Sequence, residues 1–373
     1  MTKICHLTSV HSRYDVRIFL KECKSLTKEG YNVSLVVADG KGDEIVEGVR
    51  IYDVGKPESR IQRMLFSTKK IFKKALSLNT SIYHIHDPEL IPAGLKLKKK
   101  GFKVIFDAHE DLPKQLLSKP YLTKTIRIFL SKFIDQFEKK TCNRFDAIVT
   151  ATPFIREKFL KINSDTIDIN NFPLLNELIK ETTNNANKKN ICYIGGITKI
   201  RGIKELVTAI GLMESETQLI LCGDFGEIEL KKEVENLSSW SKVQYLEFVD
   251  RSKIREVLSH SIAGIVTFLP EPNHIESQPN KMFEYMSAGL PVICSNFPLW
   301  KQFINENRCG ICVDPLKPRE ISAAIDFFAS NSEIAQEMGR NGRLAVEQRY
   351  NWELEKKKLL DLYSKIGNVS TYI

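Results

Sequence analysis

The feature that most constrains the fold of this 373-residue chain is a regular alternation of short apolar runs with helical patterns. In the first half, apolar runs of strand length recur at 4–10, 33–38, 82–85, 104–106 and 147–150. The same alternation restarts at 191–194 and continues at 218–222, 243–248 and 263–268. Strands that alternate with helices form parallel βαβ units. The pattern therefore predicts an α/β protein built from doubly wound, Rossmann-like sheets.

The segment 176–190 divides the chain in two. It is rich in Asn and Thr and has no apolar period, which is typical of a linker. A chain of this length also exceeds what one ordinary core supports. We therefore predict an N-terminal domain over 1–175, a C-terminal domain over 191–350, and a charged final helix within 351–373.

The net charge of +9 is unevenly distributed between these halves. Residues 1–180 hold 32 Lys and Arg against 21 Asp and Glu, whereas residues 181–373 hold 23 against 25. A strongly basic half beside a nearly neutral one indicates two domains with different partners.

The stretch 276–291, ESQPNKMFEYMSAGLP, carries the strongest chemical signal. Pro279 suits the first turn of a helix, and Gly289 marks its end. Glu276 then lies in the loop before the helix, while Lys281 and Glu284 lie inside it. A helix N-terminus and a lysine attract phosphate, and a carboxylate accepts hydrogen bonds from sugar hydroxyls. The stretch thus predicts a site for a nucleotide diphosphate sugar, the alternative being a solvated surface loop and helix.

Residues 279–286 and 288–293 resemble the donor-site signature of the family 4 retaining glycosyltransferases, and Glu276 and Glu284 match the family's Glu-x7-Glu motif. This resemblance implies the GT-B architecture, in which two Rossmann-like domains face each other across a cleft. It also implies that the second domain holds the donor and that the helix after residue 350 returns to the N-terminal domain. The catalytic residues that it implies are His109, Glu276, Arg201 and Lys281.

A second predicted donor element follows the strand at 191–194. Gly195 and Gly196 form a turn, and basic Arg201 precedes a helix, which is typical of a phosphate-binding loop. The element resembles the family's Gly-Arg…Lys-Gly motif only in part, because Gly196 replaces the usual arginine and Arg201 the usual lysine. We expect Arg201 and Lys281 to contact the diphosphate, against the alternative of a surface turn with solvated charges.

Two further strand ends resemble the family's loops beside the nucleobase. Gly223 allows close approach of the backbone, and Phe248 or the Val249 backbone is predicted to face the base. A phenylalanine at a strand end is, however, more often a core residue than a stacking partner.

Polar residues also follow the strands of the N-terminal half. His109 follows a strand and resembles the family's histidine that meets the donor sugar. The loop at 9–17 lacks the paired glycines of many relatives and resembles that of a polysaccharide-assembly subgroup. Residues predicted on the acceptor side are Arg13, Asp15, Arg17, Asp87 and Glu89.

A metal site is conceivable at His84 and His86, which would share one face of a strand. No third ligand at metal spacing is apparent, and the chain contains no D-x-D triplet. We therefore predict no metal and no cofactor, with the nucleotide sugar as co-substrate.

The basic charge of the N-terminal half points to a membrane surface. In 60–76, six basic residues alternate with apolar ones and no acid is present, as in a basic amphipathic segment. The alternative is a solvated helix face; nucleic acid is not predicted, because no binding motif is present. No apolar run approaches the roughly 18 residues that span a bilayer, and the N-terminus lacks a signal-peptide pattern. We expect a cytoplasmic protein at the inner face of the plasma membrane.

The resemblance implies transfer of a hexose or N-acetylhexosamine, with retention, from a nucleotide diphosphate sugar, with UDP favoured over GDP. The expected acceptor is a lipid-linked oligosaccharide of surface polysaccharide assembly, such as O-antigen or capsule. Two alternatives remain open from the sequence. A GT-B nucleotide-sugar epimerase would convert the donor without an acceptor, and a non-catalytic nucleotide-sugar-binding protein would bind the donor without turnover.

Overall fold

The computed structural model describes residues 2–119, 122–179 and 190–368 and separates into two compact units. The first unit comprises Met1–Asn171 with Trp352–Ile373, and the second comprises Phe172–Asn351. The predicted linker 176–190 lies mostly outside the described residues, at 180–189. None of the described helices combines the length and apolar character that crossing a bilayer requires.

Within the described residues, the first unit contains one eight-stranded sheet with the order β3-β4-β2-β1-β5-β6-β7-β8. All neighbours are parallel except β3 and β4. The strands are β1 Lys3–Leu7, β2 Asn32–Val37, β3 Glu44–Val46, β4 Val49–Asp53, β5 Ile82–Ile85, β6 Lys103–Ala108, β7 Ala147–Thr150 and β8 Thr166–Asp168. The strands are rich in Val and Ile and are mostly buried, because helices cover both faces of a parallel sheet.

The helices of the first unit begin with a π-helical segment, Val16–Cys23, which continues into α1 Lys24–Lys28. The others are α2 Arg60–Gln62, α3 Thr68–Leu78, α4 Ile91–Lys99, α5 Leu112–Leu117, α6 Lys124–Thr141, α7 Pro153–Leu160 and, from the far end of the chain, α15 Trp352–Asn368. A second π-helical segment, Arg63–Ser67, joins α2 to α3.

The described second unit contains a six-stranded parallel sheet with the order β11-β10-β9-β12-β13-β14. Its strands are β9 Asn190–Ile194, β10 Gln218–Cys222, β11 Val243–Leu246, β12 Ser261–Val266, β13 Val292–Ser295 and β14 Gly310–Val313. Its helices are α8 Ile203–Ile210, α9 Ile228–Glu235, α10 Arg251–Ser259, α11 Asn280–Ser287, α12 Pro298–Asn307, α13 Pro318–Ser330 and α14 Ser332–Gln348. The prediction of two α/β units with doubly wound sheets is confirmed.

Each sheet reverses its strand order once, between β1 and β5 in the first unit and between β9 and β12 in the second. At such a switch point the loops after the two strands leave in opposite directions and open a crevice at the carboxyl ends. Each unit therefore offers one ligand-binding position that the topology itself creates.

The close packing of α11 on β12 fixes the position of Lys281 and Glu284. A Cβ atom added at Gly264 would lie 2.2 Å from ring atoms of Tyr285, whose hydroxyl accepts a hydrogen bond from the Ile194 amide at 3.0 Å. Only a glycine on β12 permits this approach of helix to strand.

We therefore expect Gly264→Ala to destabilise the second unit by about 3 kcal/mol, because overpacking forces the helix away from the sheet. Urea unfolding followed by circular dichroism measures the loss. The matched control is Gly367→Ala on α15, where an added Cβ meets no atom within 4 Å, and it should be neutral or slightly stabilising. Equal stability of the two variants would contradict this packing argument.

Candidate functional site

The switch point of the second unit is where the predicted donor residues gather. Gly195 follows β9, and Phe268 follows the neighbouring strand β12. Gly223, at the end of β10, packs directly on this turn: a Cβ added there would lie 2.2 Å from the Gly195 carbonyl oxygen. Both glycines have positive φ, 123° for Gly195 and 131° for Gly223. The loop thus needs glycine for its conformation and for its close backbone approach.

Two cations converge on this turn. A Cβ added at Gly195 would lie 3.1 Å from Nζ of Lys281 and 3.8 Å from Nη1 of Arg201. Arg201 also donates a 2.8 Å hydrogen bond to the Gly196 carbonyl oxygen. The structure therefore brings together two residues that are 80 positions apart in the sequence around one glycine.

Aromatic rings form the walls around these cations. Nζ of Lys281 lies 3.7 Å from the Tyr193 ring centroid and 5.1 Å from that of Phe268, while Cζ of Arg201 lies 5.5 Å from the Phe268 ring. The Tyr193 hydroxyl donates to the Gly196 carbonyl oxygen at 2.9 Å, which holds the ring in place. Sequence reasoning missed Tyr193, although an aromatic residue two positions before a paired-glycine turn was a usable signal.

Lys281 is a buried cation without an ion-pair partner. Its side chain is 9% exposed, and its Nζ has no hydrogen-bond partner within the described part of the chain. Burial, with the nearby Arg201 charge adding to it, holds the pKa of the Lys281 ammonium well below its usual range. Buried charges are ordinarily paired. An anion bound here would supply the partner that Lys281 lacks among the described residues.

Two helices begin beside this site without a capping side chain. Gly202, with φ of 71°, precedes α8, and Pro279 precedes α11; neither helix has a side-chain hydrogen bond at its N-cap. The first backbone N–H groups of each helix remain available to a ligand. As predicted, Glu276 precedes α11, and Lys281 and Glu284 lie within it.

Glu284 is part of an ion-pair relay. It accepts from Nη1 of Arg251 at 2.7 Å, and the same guanidinium pairs with Glu177 at 2.7 and 2.8 Å. Only one Glu284 oxygen takes part in this pair, so the other is available to a hydroxyl donor. Arg251 was not singled out from the sequence, since its pairing with residues 33 and 74 positions away carries no local signal.

The remaining donor-side residues differ in placement. Phe248 lies beyond β11 and is 79% exposed, so it is not the core residue that a strand-end phenylalanine usually is. Val249 follows it and packs partly against the core. Glu276 lies in the turn before α11, and no described residue forms an ion pair with it. Their contacts with base and sugar stay predictions.

In the first unit, His109 follows β6 and lies beside two buried groups. Its Nδ1 is 3.5 Å from Asp107, and its ring stacks on His86 with centroids 5.5 Å apart. Burial, and the neighbouring Arg17 charge, lower the pKa of His109 to about 4. A histidine here is thus a neutral imidazole at physiological pH, suited to hydrogen bonding and not to carrying charge.

Asp87 and Glu89 lie at the switch point of the first unit with the loop after β1. Asp87 accepts from the Ser9 amide at 2.6 Å and the Thr8 hydroxyl at 2.8 Å, and Glu89 accepts from the Ser9 hydroxyl at 2.6 Å. Burial alone would raise the pKa of the Asp87 carboxyl. His11 and these hydrogen bonds outweigh burial, and the pKa of Asp87 is lowered. Both carboxylates therefore hold the loop in shape.

Three residues predicted on the acceptor side make contacts inside the first unit. Arg13 is buried, and its guanidinium pairs with Asp39 and Glu44 at distances of 2.6 to 2.8 Å. Arg17 is buried and pairs with Asp107. Asp15 caps the π-helical segment by accepting from the amides of Arg17 and Ile18. Arg13 and Arg17 are thus held in internal ion pairs, whereas Asp15 is partly exposed; contact of these three residues with an acceptor stays a prediction.

The structure adds partners to His84 and His86 that the sequence did not reveal. His6 from β1 and Glu22 from the π-helical segment join them in one buried cluster. The spacing of these four residues in the sequence did not indicate a cluster, because they come from three separate parts of the chain and lie up to 80 positions apart.

Two family models match the chain. Residues 16–169 match "Glycosyltransferase Family 4" and residues 176–345 match "Glycosyl transferases group 1". Among curated relatives, spore coat protein SA of Bacillus subtilis is 25% identical over 48% of this chain and 49% of that protein. The capsular polysaccharide biosynthesis glycosyltransferase CapM of Staphylococcus aureus is 22% identical over 54% and 53%. The chain thus spans about half the length of these relatives.

Solved structures show the same fold over the whole chain. Sucrose-phosphate synthase from Thermosynechococcus elongatus has a TM-score of 0.80 at 17% identity, covering 99% of this chain and 100% of that one. HepE of Anabaena in complex with UDP-glucose has a TM-score of 0.75 at 15% identity, covering 98% and 100%. The chain thus carries two domains that match glycosyltransferase models, and its fold is that of the GT-B glycosyltransferases.

Proposed function

We propose that the protein transfers a hexosyl or N-acetylhexosaminyl group from a nucleotide diphosphate sugar, with retention of configuration and with UDP favoured over GDP. The observation that carries the proposal is the convergence of Arg201 and buried, unpaired Lys281 on the Gly195 turn. Two cations without a carboxylate partner match a diphosphate. The complex of the similarly folded HepE with UDP-glucose supports the choice of UDP.

In this proposal, each donor residue has one role. Arg201, Lys281 and the first N–H groups of α8 and α11 hold the diphosphate. Glu284, held by Arg251, accepts hydrogen bonds from the ribose. Exposed Phe248 and the Val249 backbone face the base, and Glu276 and His109 contact the sugar.

The reaction follows from these roles without a protein nucleophile. The bond between the anomeric carbon and the diphosphate oxygen breaks, and its electron pair stays on the diphosphate. The acceptor hydroxyl attacks from the same face and gives its proton to that leaving oxygen. Arg201, Lys281 and the helix N-termini stabilise the negative charge that develops on the leaving diphosphate. This stabilisation is the main source of the rate acceleration. No metal ion takes part at the diphosphate.

The proposed acceptor is a lipid-linked oligosaccharide of surface polysaccharide assembly, met at the inner face of the plasma membrane. The similarity to CapM, a capsular polysaccharide biosynthesis glycosyltransferase, supports a role in polysaccharide assembly. Exposed apolar residues among basic ones support the location: Ile61, Met64, Leu65 and Phe66 are between 49% and 71% exposed. Exposed Lys69 and Lys70 follow them.

Helix α6 offers a second surface of the same kind. Ile126, Phe129 and Phe133 are 46%, 67% and 57% exposed and recur at spacings of three and four, which places them on one helix face. Basic residues 124, 127, 132, 139 and 140 lie along the same helix. Phe72, in contrast, packs against the core, so it is not a membrane anchor.

Screening nucleotide sugars for slow hydrolysis, with the released nucleotide read by mass spectrometry, tests the proposal directly. We expect release of UDP from one UDP-sugar without any acceptor. Conversion of the donor to an epimer without nucleotide release would identify an epimerase. Binding of the donor without any turnover, in acceptor extracts as well, would identify a non-catalytic binder.

We expect Glu284→Ala to weaken donor binding by about 1.5–3 kcal/mol, because the ribose loses charged hydrogen bonds. This corresponds to roughly a tenfold to 150-fold rise in Kd, measured by calorimetry. Glu177→Gln is the control: it also frees Arg251 from a partner but leaves the ribose contact, and its effect should be smaller. Unchanged affinity in a folded Glu284→Ala protein would remove Glu284 from the site.

Arg201→Ala and Lys281→Ala should each lower kcat about 100-fold or more, because each cation stabilises the leaving diphosphate. Lys281→Met keeps the buried stem and separates lost charge from lost packing. Lys204→Ala, which changes the second residue of α8 and removes a side chain paired with Glu233, should retain activity. Activity should survive brief EDTA treatment; complete loss with rescue by Mg²⁺ would contradict the metal-free donor site.

Vesicles containing phosphatidylglycerol should bind the protein at low salt and release it as salt rises, since each basic residue near an anionic surface contributes about 1 kcal/mol. Changing Lys69, Lys70, Lys73 and Lys74 to Gln should reduce co-sedimentation and leave donor affinity unchanged. Phe66→Ser and Phe129→Ser should weaken binding through lost insertion.

The matched control for this experiment changes four lysines of the second unit, 204, 231, 232 and 253, to Gln and should not affect vesicle binding. Equal binding to neutral and anionic vesicles would refute the electrostatic account. Absence of binding at every salt concentration would refute the membrane proposal.

A further inference from the structure

The interior of the first unit contains a cluster of three histidines and one glutamate. His6, Glu22, His84 and His86 are all fully buried. Oε2 of Glu22 lies 3.8 Å from Nδ1 of His6, 3.7 Å from Nδ1 of His84 and 3.9 Å from Nε2 of His86. One carboxylate oxygen is thus nearly equidistant from three imidazoles.

These contacts leave the carboxylate unsatisfied. Distances of 3.7–3.9 Å are too long for hydrogen bonds, and neither Glu22 oxygen has a hydrogen-bond partner among the described residues. Arg17 approaches Oε1 at 3.2 Å, but its guanidinium already forms two bonds to Asp107. Oε2 therefore faces three imidazole rings without a hydrogen bond from the described residues, which is costly for a buried carboxylate.

We propose that His6, Glu22, His84 and His86 bind one divalent transition-metal ion of the zinc class. A tetrahedral ion with metal–ligand distances of about 2.0–2.1 Å separates its ligand atoms by roughly 3.3 Å. Four of the six separations between ligand atoms run from 2.8 Å, between Nδ1 of His6 and Nε2 of His86, to 3.9 Å and lie on either side of that value; all four ligand atoms lie within 4.8 Å of one another. Three imidazoles and one carboxylate are a donor set that favours zinc over calcium or magnesium.

The groups behind the ligands fit the same interpretation. Nε2 of His6 lies 3.2 Å from the Tyr363 hydroxyl, and Nδ1 of His86 lies 3.3 Å from Asp107. His6 and His86 thus each turn one nitrogen to the centre and the other toward an oxygen atom. This is how metal-bound histidines are oriented in proteins, and carboxylate–histidine–metal arrangements are common. At His84, the nitrogen that faces Glu22 is Nδ1, which also lies 2.8 Å from the Tyr363 hydroxyl, so this hydroxyl must give up that contact when an ion binds.

The position of the cluster makes the ion structural. All four side chains are closed to solvent, so no coordination position is open to a substrate. The ion would join β1, β5 and the π-helical segment. It would also leave the donor-site chemistry unchanged, and brief EDTA treatment would not reach it. Under this proposal, the sequence-based expectation of no metal would apply to the donor site alone.

The first measurement uses the full-length wild-type protein, expressed in zinc-supplemented medium. Native mass spectrometry and elemental analysis should find about one zinc ion per chain. Protein unfolded in chelator and refolded without metal should have a lower Tm, and added Zn²⁺ should restore it. Co²⁺ added instead should give the intense visible bands of a tetrahedral site.

Variants locate the ion. Glu22→Gln and His84→Gln should bind no stoichiometric metal, whereas His260→Gln, a histidine on the second unit with an exposed side chain, should bind as wild type does. Tyr363→Phe should weaken zinc affinity by roughly 10- to 100-fold without abolishing it, since it alters only the partner of a ligand.

A wild-type protein that is metal-free as purified, and whose Tm and visible spectrum do not respond to Zn²⁺ or Co²⁺, would overturn the proposal. So would full zinc binding by folded Glu22→Gln. If either variant fails to fold, the wild-type measurements of metal content, Tm and visible spectrum still decide for or against the ion.

Discussion

A charged side chain that is buried away from water needs a counter-charge or hydrogen bonds. Among the described residues, two sites each hold a buried ionisable side chain that has no hydrogen-bond partner for its charged group. At the first, Lys281 is buried beside a second cation and forms no ion pair with an acid of the described residues. At the second, the Glu22 carboxylate faces three imidazoles at distances beyond hydrogen bonding. A diphosphate would complete the first site and a metal ion the second, and the two proposals above rest on these unmet requirements.

Both sites lie at the place where the strand order of a parallel sheet reverses. In the second unit the reversal separates the loops after β9 and β12, and the glycine turn at Gly195 occupies the resulting space. In the first unit the reversal lies between β1 and β5, whose inner residues His6 and His84 face the same interior. The same topological feature therefore has two outcomes: in one unit it gathers Arg201 and Lys281 around a glycine turn, and in the other it encloses polar residues.

The fold and the donor site were largely predictable because their signals are local. Alternating apolar runs indicated the sheets, and Pro279, Lys281 and Glu284 lie at or within one helix as the spacing suggested. The contacts of the N-terminal loop residues were less predictable. An arginine in a loop after a strand gives the same sequence pattern whether it faces a ligand or, as Arg13 does, an internal carboxylate. His6 and Glu22 could not be assigned to a cluster with His86 from the sequence. Their contact with His86 depends on the pairing of β1 with β5 and on the π-helical segment.

The first unit is completed by the other end of the chain, and this affects the order of its assembly during synthesis. The Tyr363 hydroxyl on α15 lies 2.8 Å from Nδ1 of His84, and Trp352 donates to Ser25 at 2.9 Å, so the interior of the unit is closed by residues translated after the whole second unit. Domains usually fold in the order in which they leave the ribosome. Here the second unit, which is continuous in sequence, can reach its native packing first, while the N-terminal sheet waits for its last helix with its histidines still open to solvent and to ions.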